Sequence, residues 1–226
     1  MVEKRKYSLG GDIMVELLIP SLLETLYMVF FSTIFSLLLG FPLGILLVIT
    51  EKGGIWEKPL LNQILNGIIN ILRSLPFIIL MILVFPLSRI IVGKTIGTTA
   101  TIVPLSIAAA PFVARVFESA LKEVDKGVIE ASLSMGATVP QIVFKVMIPE
   151  SMPSLVMGVT LTIINLIGYS AMAGAIGGGG LGDLAIRFGL YRFQTDIMLA
   201  AVIVIILLVQ GIQLLGNKIA HAIDKK

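Results

Sequence analysis

The sequence predicts an all-α integral membrane protein with five membrane-spanning helices. Of its 226 residues, 57% are hydrophobic and 14% are charged, whereas soluble domains are about half apolar and about a quarter charged. The mean hydropathy of +1.02 points to the same class. Four stretches without Asp, Glu, Lys or Arg reach the roughly 20 residues that cross a bilayer core, namely 25–50, 95–114, 151–182 and 197–217. The bilayer is therefore the expected solvent.

The second of the five helices is the least regular. Its charge-free window, 74–88, is shorter than a span and is extended back to residue 60. The extension turns a polar face toward protein or the membrane surface rather than lipid. That face is formed by Asn62, Gln63, Asn66, Asn70 and Arg73.

The predicted helices form one transmembrane domain, 20–217, between an N-terminal segment, 1–19, and a basic tail, 218–226. They cover residues 20–49, 60–87, 96–120, 150–175 and 196–217. The N-terminal segment lacks the apolar run and small-residue site of a cleaved signal peptide, so we expect the first helix to remain in the mature protein.

Several functional classes are excluded by what the chain lacks. It has no cysteine and a single histidine, His221 in the basic tail, so disulfides, thiol catalysis and a metalloenzyme are not expected. The net charge of +3 comes from cations at the ends of segments, which is not typical of nucleic-acid binding. We therefore expect no catalytic residue, no metal and no cofactor in this chain.

Two glycine motifs match nucleotide sites only in part. Gly93-Lys94-Thr95 resembles the end of a P-loop, but Ser88 occupies the position of the required upstream glycine. Residues 177–182 contain G-x-G-x-x-G, yet no strand precedes them, as a dinucleotide site requires. We interpret 177–182 as a flexible outer turn between the fourth and fifth helices, where glycine permits positive φ.

Residues 125–148 predict a compact elbow between the third and fourth helices. Asp125 is a suitable N-cap for a short helix that stops at Gly136. The T-x-x-Q capping box of 138–141 then starts a second helix, and Pro149 begins the fourth span. The apolar faces of the two short helices are Ile129 and Leu133, and Ile142, Val143 and Val146. Because the elbow is joined directly to the fourth helix, a movement of the elbow would be transmitted to that helix.

The elbow carries a resemblance to a known family. Glu130-Ala131-Ser132, then Gly136 after three residues, then 146–149 after nine more, resembles the EAA-x3-G-x9-I-x-L-P signature of bacterial ABC importer permeases. The departures are Ser132 for a third small residue, Val146 for Ile and Ile148 for Leu. Stretches such as NILRSLPFIIL and NLIGYSAMAGAIGGGGLGDLAIRFGLYRFQTD are similar to the methionine-importer permeases within that class, and the similarity covers most of 20–217.

The resemblance implies a type I ABC importer permease fold and a role in ATP-driven import of methionine, as the L or D form or both. It implies a second copy of this subunit, two cytoplasmic ABC ATPases that bind ATP and Mg²⁺, and an external substrate-binding lipoprotein. The elbow would be the coupling helix that docks on the ATPase. The alternatives are a permease for another small amino acid or organic solute, and an ion-coupled carrier.

The docking role falls on the residues that match the signature and on their neighbours. These are Glu130, Ala131, Ser132, Gly136, Ala137, Thr138 and Gln141. Small residues let two backbones approach closely, while Glu130 and Gln141 offer polar contacts at the rim. Glu130 and Gln141 also suit a second interpretation, in which they only cap their own helices.

The sequence offers little support for an ion-coupled carrier. Proton and sodium relays place carboxylates or histidines within the membrane, where charge is costly. The third, fourth and fifth predicted helices have no such residue away from their ends. Glu16 and Glu24 near the start of the first helix are the exceptions, and a position at the membrane surface explains both. The energy for transport is therefore expected from another subunit.

The fourth helix is the best candidate for lining a pathway. A rise of about 1.5 Å per residue puts Met172 near the outer mouth, within a run of small residues. An apolar, flexible Met flanked by small neighbours suits a gate between two copies, although packing through small residues explains the run equally well. Asn165, Tyr169 and Ser170 offer neutral hydrogen-bonding groups to a zwitterion. We expect no charged pair that clamps an amino acid, and hence selectivity set mainly by an external binding protein.

Charge alone favours one orientation only weakly. Apart from Arg73, nine Lys and Arg residues lie on the side of the elbow and seven on the opposite side. The basic cluster 4–6 argues against this orientation, because it would lie outside the cytoplasm. We place the elbow and the C-terminus in the cytoplasm and the N-terminus outside, in a cytoplasmic or inner membrane that the chain crosses several times.

Overall fold

The computed structural model describes the backbone of residues 2–224 and the side chains of residues 14–224. Within this part of the chain every regular element is a helix, so the predicted all-α class is confirmed. The helices are α1 (Val2–Thr50), α2 (Pro59–Ser74), α3 (Phe77–Val92), α4 (Thr98–Lys122), α5 (Lys126–Ser134), α6 (Val139–Ile142), α7 (Ile148–Glu150), α8 (Met152–Gly174), α9 (Gly180–Gly189) and α10 (Thr195–Ile223), with a π-helical turn at Val143–Met147. Lys225 and Lys226 of the predicted tail, and the side chains of the basic cluster 4–6, lie outside the described residues.

Four helices in the described residues are long and apolar enough to cross a membrane alone: α1 from Met14 onward, α4, α8 and α10. A fifth span is formed if α2 and α3 are counted together. The predicted third, fourth and fifth helices agree with α4, α8 and α10 to within two residues, except that α10 continues to Ile223. The first is longer than predicted, because a charge-free window marks only the part that suits hydrocarbon and not where the helix ends.

The prediction that the second span is one continuous helix is wrong. It is two helices, α2 and α3, bent by 108° at a short break. Leu75 is extended there, with φ −78° and ψ 131°, and Pro76 follows it. Proline disfavours the helical conformation of the residue before it, which ends α2 and allows α3 to start in a new direction.

The contacts divide the chain into two compact units, and the first comprises residues 1–32, 77–105 and 165–211. Its buried cluster consists of Leu184, Phe188, Ile197 and Ala201, against which Leu17 and Leu18 of α1 pack. The start of α9 is held by α1 in this unit. The Gly180 N–H donates to Oε2 of Glu24 at 2.7 Å, and the Leu181 N–H donates to the Thr25 hydroxyl oxygen at 2.9 Å.

The second unit comprises residues 33–76, 106–164 and 212–226. Here α1 and α4 approach almost backbone to backbone. A Cβ added at Gly40 would lie 2.5 Å from the Ala110 carbonyl oxygen, and one at Gly44 would lie 2.8 Å from the Ala114 carbonyl oxygen. Only glycine fits at such a distance, as is usual where membrane helices cross closely.

A chain of charged and polar groups joins α1, α2 and the end of α4 in the second unit. Lys122 pairs with Glu51 at 2.6 Å and with Glu118 at 2.9 Å. Arg115 pairs with Glu118 at 2.7 Å and donates to the Asn70 side chain at 2.8 Å. Each charge is neutralised by a neighbour, as groups near a membrane require. The chain of pairs fixes the end of α4, from which the elbow follows directly.

Candidate functional site

The elbow has the local structure that its sequence predicts. Oδ1 of Asp125 accepts a hydrogen bond from the Gly127 N–H at 2.7 Å and caps α5. After α5 ends, Gly136 adopts φ +78°, a conformation that L side chains rarely adopt, and the chain turns. The N–H and the hydroxyl of Thr138 donate to Oε1 of Gln141 at 2.8 and 3.0 Å. These bonds order the start of α6, so the predicted sequence of helix, glycine corner and helix is confirmed.

The elbow rests on a buried apolar cluster. Residues from the end of α1, the end of α4 and the second half of the elbow form it: Val48, Ile49, Leu121, Val124, Ile142, Val143 and Met147. Ile129 of α5 packs against this cluster, whereas Leu133 is exposed. Of the two residues predicted on the apolar face of α5, Ile129 therefore packs on the cluster and Leu133 is exposed. Burial of seven apolar side chains at one place holds the elbow against the two long helices.

The second half of the elbow joins α8 without a loop. The π-helical turn follows α6 directly, and α7 continues it to Glu150. At Ser151 the backbone departs from helical geometry, with φ −92° and ψ 8°. The Ser151 N–H still donates to the Met147 carbonyl oxygen at 3.1 Å, and the Leu155 N–H donates to that of Ser151 at 2.9 Å. Pro149 was predicted to begin the fourth span, but helical hydrogen bonding runs through it into α8.

Most of the predicted docking residues lie on the exposed side of the elbow. Glu130, Ala131, Gly136, Thr138 and Gln141 are exposed, and Ala137 is half-buried. Ser132 is only 6% exposed, and its hydroxyl donates to the Val128 carbonyl oxygen at 2.8 Å. Ser132 therefore belongs to the packed side of α5. The docking role of the whole set stays a prediction.

The same exposed side carries apolar residues that sequence reasoning missed. Met135 is 81% exposed and Phe144 is 62% exposed, and Val128 and Leu133 are exposed too. Large apolar side chains in water at a polar elbow are typical of a surface that a partner covers. The exposure of Phe144 could have been predicted from the sequence, since Phe144 does not lie on the apolar face that Ile142 and Val143 form. The exposure of Met135 could not be predicted in this way, because Met135 lies between α5 and α6, where no helical periodicity applies.

The predicted pathway residues do not all share one face of α8. Met172 is 49% exposed, Gly168 is exposed and Asn165 is half-buried, and their spacing places them along one face. Tyr169 stacks on Phe77, with ring centroids 4.5 Å apart. Ser170 is 2% exposed, and its hydroxyl donates to the Ile167 carbonyl oxygen at 2.8 Å. The face of Asn165 and Met172 is thus available, while Tyr169 and Ser170 are engaged within the chain.

The glycine run after α8 is a closely packed turn, and the flexibility predicted for it stays a prediction. Gly177 has positive φ as expected, and its carbonyl oxygen accepts from the Gly97 N–H at 3.2 Å. A Cβ at Gly182 would lie 2.4 Å from Ala171, so α9 packs directly on the end of α8. The carboxylate of Glu24 lies at the positive end of α9, where its Oε2 accepts from the Gly180 N–H. Glu24 therefore has a structural role at the start of α9.

An open cleft of about 840 Å³ lies within the second unit. Its titratable lining residues come from separate parts of the chain: Arg73, Arg115, Glu123, His221 and Asp224. The expectation that no charged pair clamps an amino acid stays a prediction, although groups of both signs line this cleft. The sequence did not indicate this cleft, because Arg73 and Glu123 are far apart in the chain and only folding brings them to one site.

Comparison with known proteins gives a consistent result. The family described as binding-protein-dependent transport system inner membrane component matches residues 40–226. The chain is 53% identical over 211 residues to the probable D-methionine transport system permease protein MetI of Pasteurella multocida, covering 93% of this chain and 97% of that protein. It is 47% identical over 203 residues to the methionine import system permease protein MetP of Bacillus subtilis, covering 90% and 91%.

Solved structures agree with these relatives. A chain of the MetNI methionine ABC transporter in an inward-facing conformation has a TM-score of 0.93 and 44% identity, covering 95% of this chain and 99% of that one. An amino acid ABC transporter solved with histidines has a TM-score of 0.77, covering 95% and 97%. At 19% identity the latter shares the fold alone.

The packing of α5 predicts different reactivities at two adjacent positions. In single-cysteine variants of this cysteine-free chain, Ala131→Cys should react with a maleimide about tenfold faster than Ser132→Cys, since access limits thiol reactivity. The measurement is the labelling rate of the isolated permease in detergent. Equal rates at the two positions, with both variants folded, would show that the elbow is not packed on its apolar cluster as described.

Proposed function

Because the chain belongs to the family of binding-protein-dependent transport system inner membrane components, we propose that it is the permease subunit of an ABC importer that carries methionine across the cytoplasmic membrane. The observation that supports the mechanism is the elbow, which presents the family signature on one side and continues into a membrane helix on the other. The substrate follows from relatives about half identical in sequence that are described as methionine permeases.

The partner of the elbow is a cytoplasmic ABC ATPase. Glu130, Ala131, Gly136 and Gln141 supply a surface of small and polar groups, and Met135 adds a large apolar side chain. An apolar anchor surrounded by polar groups is the usual composition of a protein interface. Phe144 extends this surface to the second half of the elbow. The chain itself contributes no ATPase site, and ATP and Mg²⁺ bind to the partner.

The assembly contains two copies of this permease and two ATPases, with an external substrate-binding lipoprotein that delivers methionine. The elbow and the C-terminus face the cytoplasm, and the N-terminus faces outward. When ATP binding brings the two ATPases together, the two elbows move with them. Helix α8 follows its elbow as a rigid body, and the pathway changes from inward to outward opening.

The face of α8 that carries Asn165, Gly168 and Met172 lines the pathway between the two copies. Met172 is apolar, flexible and half exposed, and two such side chains meeting near the two-fold axis close the outer end of a narrow passage. Tyr169 and Ser170 support this face from within the chain, through the ring of Phe77 and the carbonyl of Ile167. An ion-coupled mechanism is not favoured, because Glu24 is engaged at the start of α9.

Uptake by purified components tests the proposed function. Vesicles that contain the permease, its ATPase and its binding protein should accumulate labelled methionine only when Mg²⁺ and ATP are supplied on the side of the ATPase. Vesicles with the permease alone should take up no more than empty vesicles, because the chain lacks a power source. ATP-independent uptake by the permease alone, or uptake of other amino acids in preference to methionine, would contradict the proposal.

If Met172 forms a gate, nucleotide should change how accessible residue 172 is to a reagent in the external solution. In the assembled complex, Met172→Cys should react with an external maleimide at different rates in the nucleotide-free and the ATP-trapped states, because the outer end opens in one of them. The measurement is the label on the permease chain by mass spectrometry.

Tyr191→Cys is the matched control, since this exposed residue lies between α9 and α10 and outside the proposed gate. Its labelling should not depend on nucleotide. If Met172→Cys also reacted at one rate in both states while the complex remained active in uptake, Met172 would not be a gate.

A further inference from the structure

The inner cleft is the cavity of about 840 Å³ in the second unit, and it lies among helix ends close to the elbow. It is lined by the last turn of α2, the last turns of α4, the first turns of α8 and the end of α10. Helices α4 and α8 are the two that flank the elbow, so the inner cleft lies at their cytoplasmic ends in the orientation proposed above.

Arg73 and Arg115 both line the inner cleft, but they differ in their partners. Arg115 is engaged by Glu118 and by Asn70. Arg73 is exposed, and among the described side chains it has no ion pair and no hydrogen bond. A guanidinium that faces a cavity without a partner is suited to a carboxylate, which it binds through two parallel hydrogen bonds.

Glu123 supplies the opposite charge in the same cleft. Its Oε2 accepts a short hydrogen bond from the Ser154 hydroxyl, which holds the carboxylate at the start of α8. Oε1 has no protein partner among the described residues, so it is available to a donor. An ammonium group carries three donors and is the natural ligand for such a carboxylate.

Apolar side chains line the inner cleft beside these charged groups. Phe112 and Val116 contribute from α4, and Met157 and Leu161 contribute from α8. Between these helices the wall is close, since a Cβ at Gly158 would lie 2.6 Å from the Val116 side chain. Half of the lining residues are polar or titratable and the rest are apolar or glycine, a combination that suits a small organic ligand with both charged and apolar parts.

We propose that the inner cleft binds a zwitterionic amino acid with an apolar side chain, through Arg73 on the carboxylate, Glu123 on the ammonium and Met157 with Leu161 on the side chain. This inference rests on the proposed function and places a substrate site on the permease itself. The cleft is larger than one amino acid and open, so water shares it. The resulting binding is weak, as release into the cytoplasm requires.

A photoreactive analogue of methionine tests the inference directly. The complex of permease and ATPase, purified without nucleotide, is irradiated with the diazirine analogue, and labelled permease peptides are identified by mass spectrometry. We expect label on the segments 112–123 and 153–161, which line the inner cleft, and loss of that label with excess methionine. Label elsewhere on the permease, or label that methionine does not displace, would overturn the proposal.

Competition by altered ligands assigns the two charges. In the wild-type complex, methionine methyl ester and the deaminated acid should each compete about tenfold more weakly than methionine, since each lacks one charge-assisted contact. In Arg73→Gln the ester should compete as well as methionine. In Glu123→Gln the deaminated acid should do so. An unchanged order of competitors in these variants would overturn the assignment.

Two further variants separate binding from folding. Arg89→Gln alters an exposed arginine of α3 that does not line the inner cleft, and it should behave as wild type. Ser154→Ala removes the hydroxyl that holds the Glu123 carboxylate in place, and it should weaken competition by methionine but not by the deaminated acid. Unchanged competition by methionine in Ser154→Ala would count against the role of Glu123.

Uptake of methionine by the wild-type complex, measured in parallel, distinguishes the two proposals. Uptake without cleft labelling would overturn this inference and leave the proposed function standing. Cleft labelling that favours another class of solute, together with absent methionine uptake, would overturn both.

Discussion

The loop-free connection between the elbow and α8, which departs from helical geometry only at Ser151, is the constraint on which the rest of the structure depends. Hydrogen bonds pass from the π-helical turn through Ser151 into α8, so no flexible segment absorbs a displacement of the elbow. The apolar cluster beneath the elbow ties the same point to the ends of α1 and α4. A push on the exposed surface of the elbow therefore passes to membrane helices, as the proposed coupling to an ATPase requires.

The distribution of charge follows from the same setting. Ionised groups near a membrane are costly unless they are paired or used. Glu51, Lys122, Glu118 and Arg115 neutralise one another, and Glu24 lies against the amide groups that begin α9. These groups hold helices together. In the open cleft beside the elbow, by contrast, Arg73 has no ion pair or hydrogen bond among the described side chains.

Local signals allowed the sequence to predict the elbow and four of the spans. The cap at Asp125, the glycine corner at Gly136 and the uncharged stretches act over a few residues and need no tertiary information. The break before Pro76 also had a local signal, which is the proline itself. The length of the apolar stretch nevertheless led to the prediction of one continuous helix. The remaining features depend on distant contacts. The glycine turn is hydrogen-bonded to Glu24, 156 residues away from Gly180, and the exposure of Met135 depends on where α5 packs.

The central claim is that the rigid joint converts movement of the elbow into movement of α8. Its most direct test is the ratio of methionine uptake to ATP hydrolysis in a reconstituted complex with two glycines inserted between Glu150 and Ser151, where a Gly-rich segment adds flexibility. The same insertion between Leu190 and Tyr191, outside the joint, is the control. The account predicts that hydrolysis continues while uptake falls about tenfold or more in the joint variant alone. Uptake and hydrolysis that both remain at the control level would contradict it.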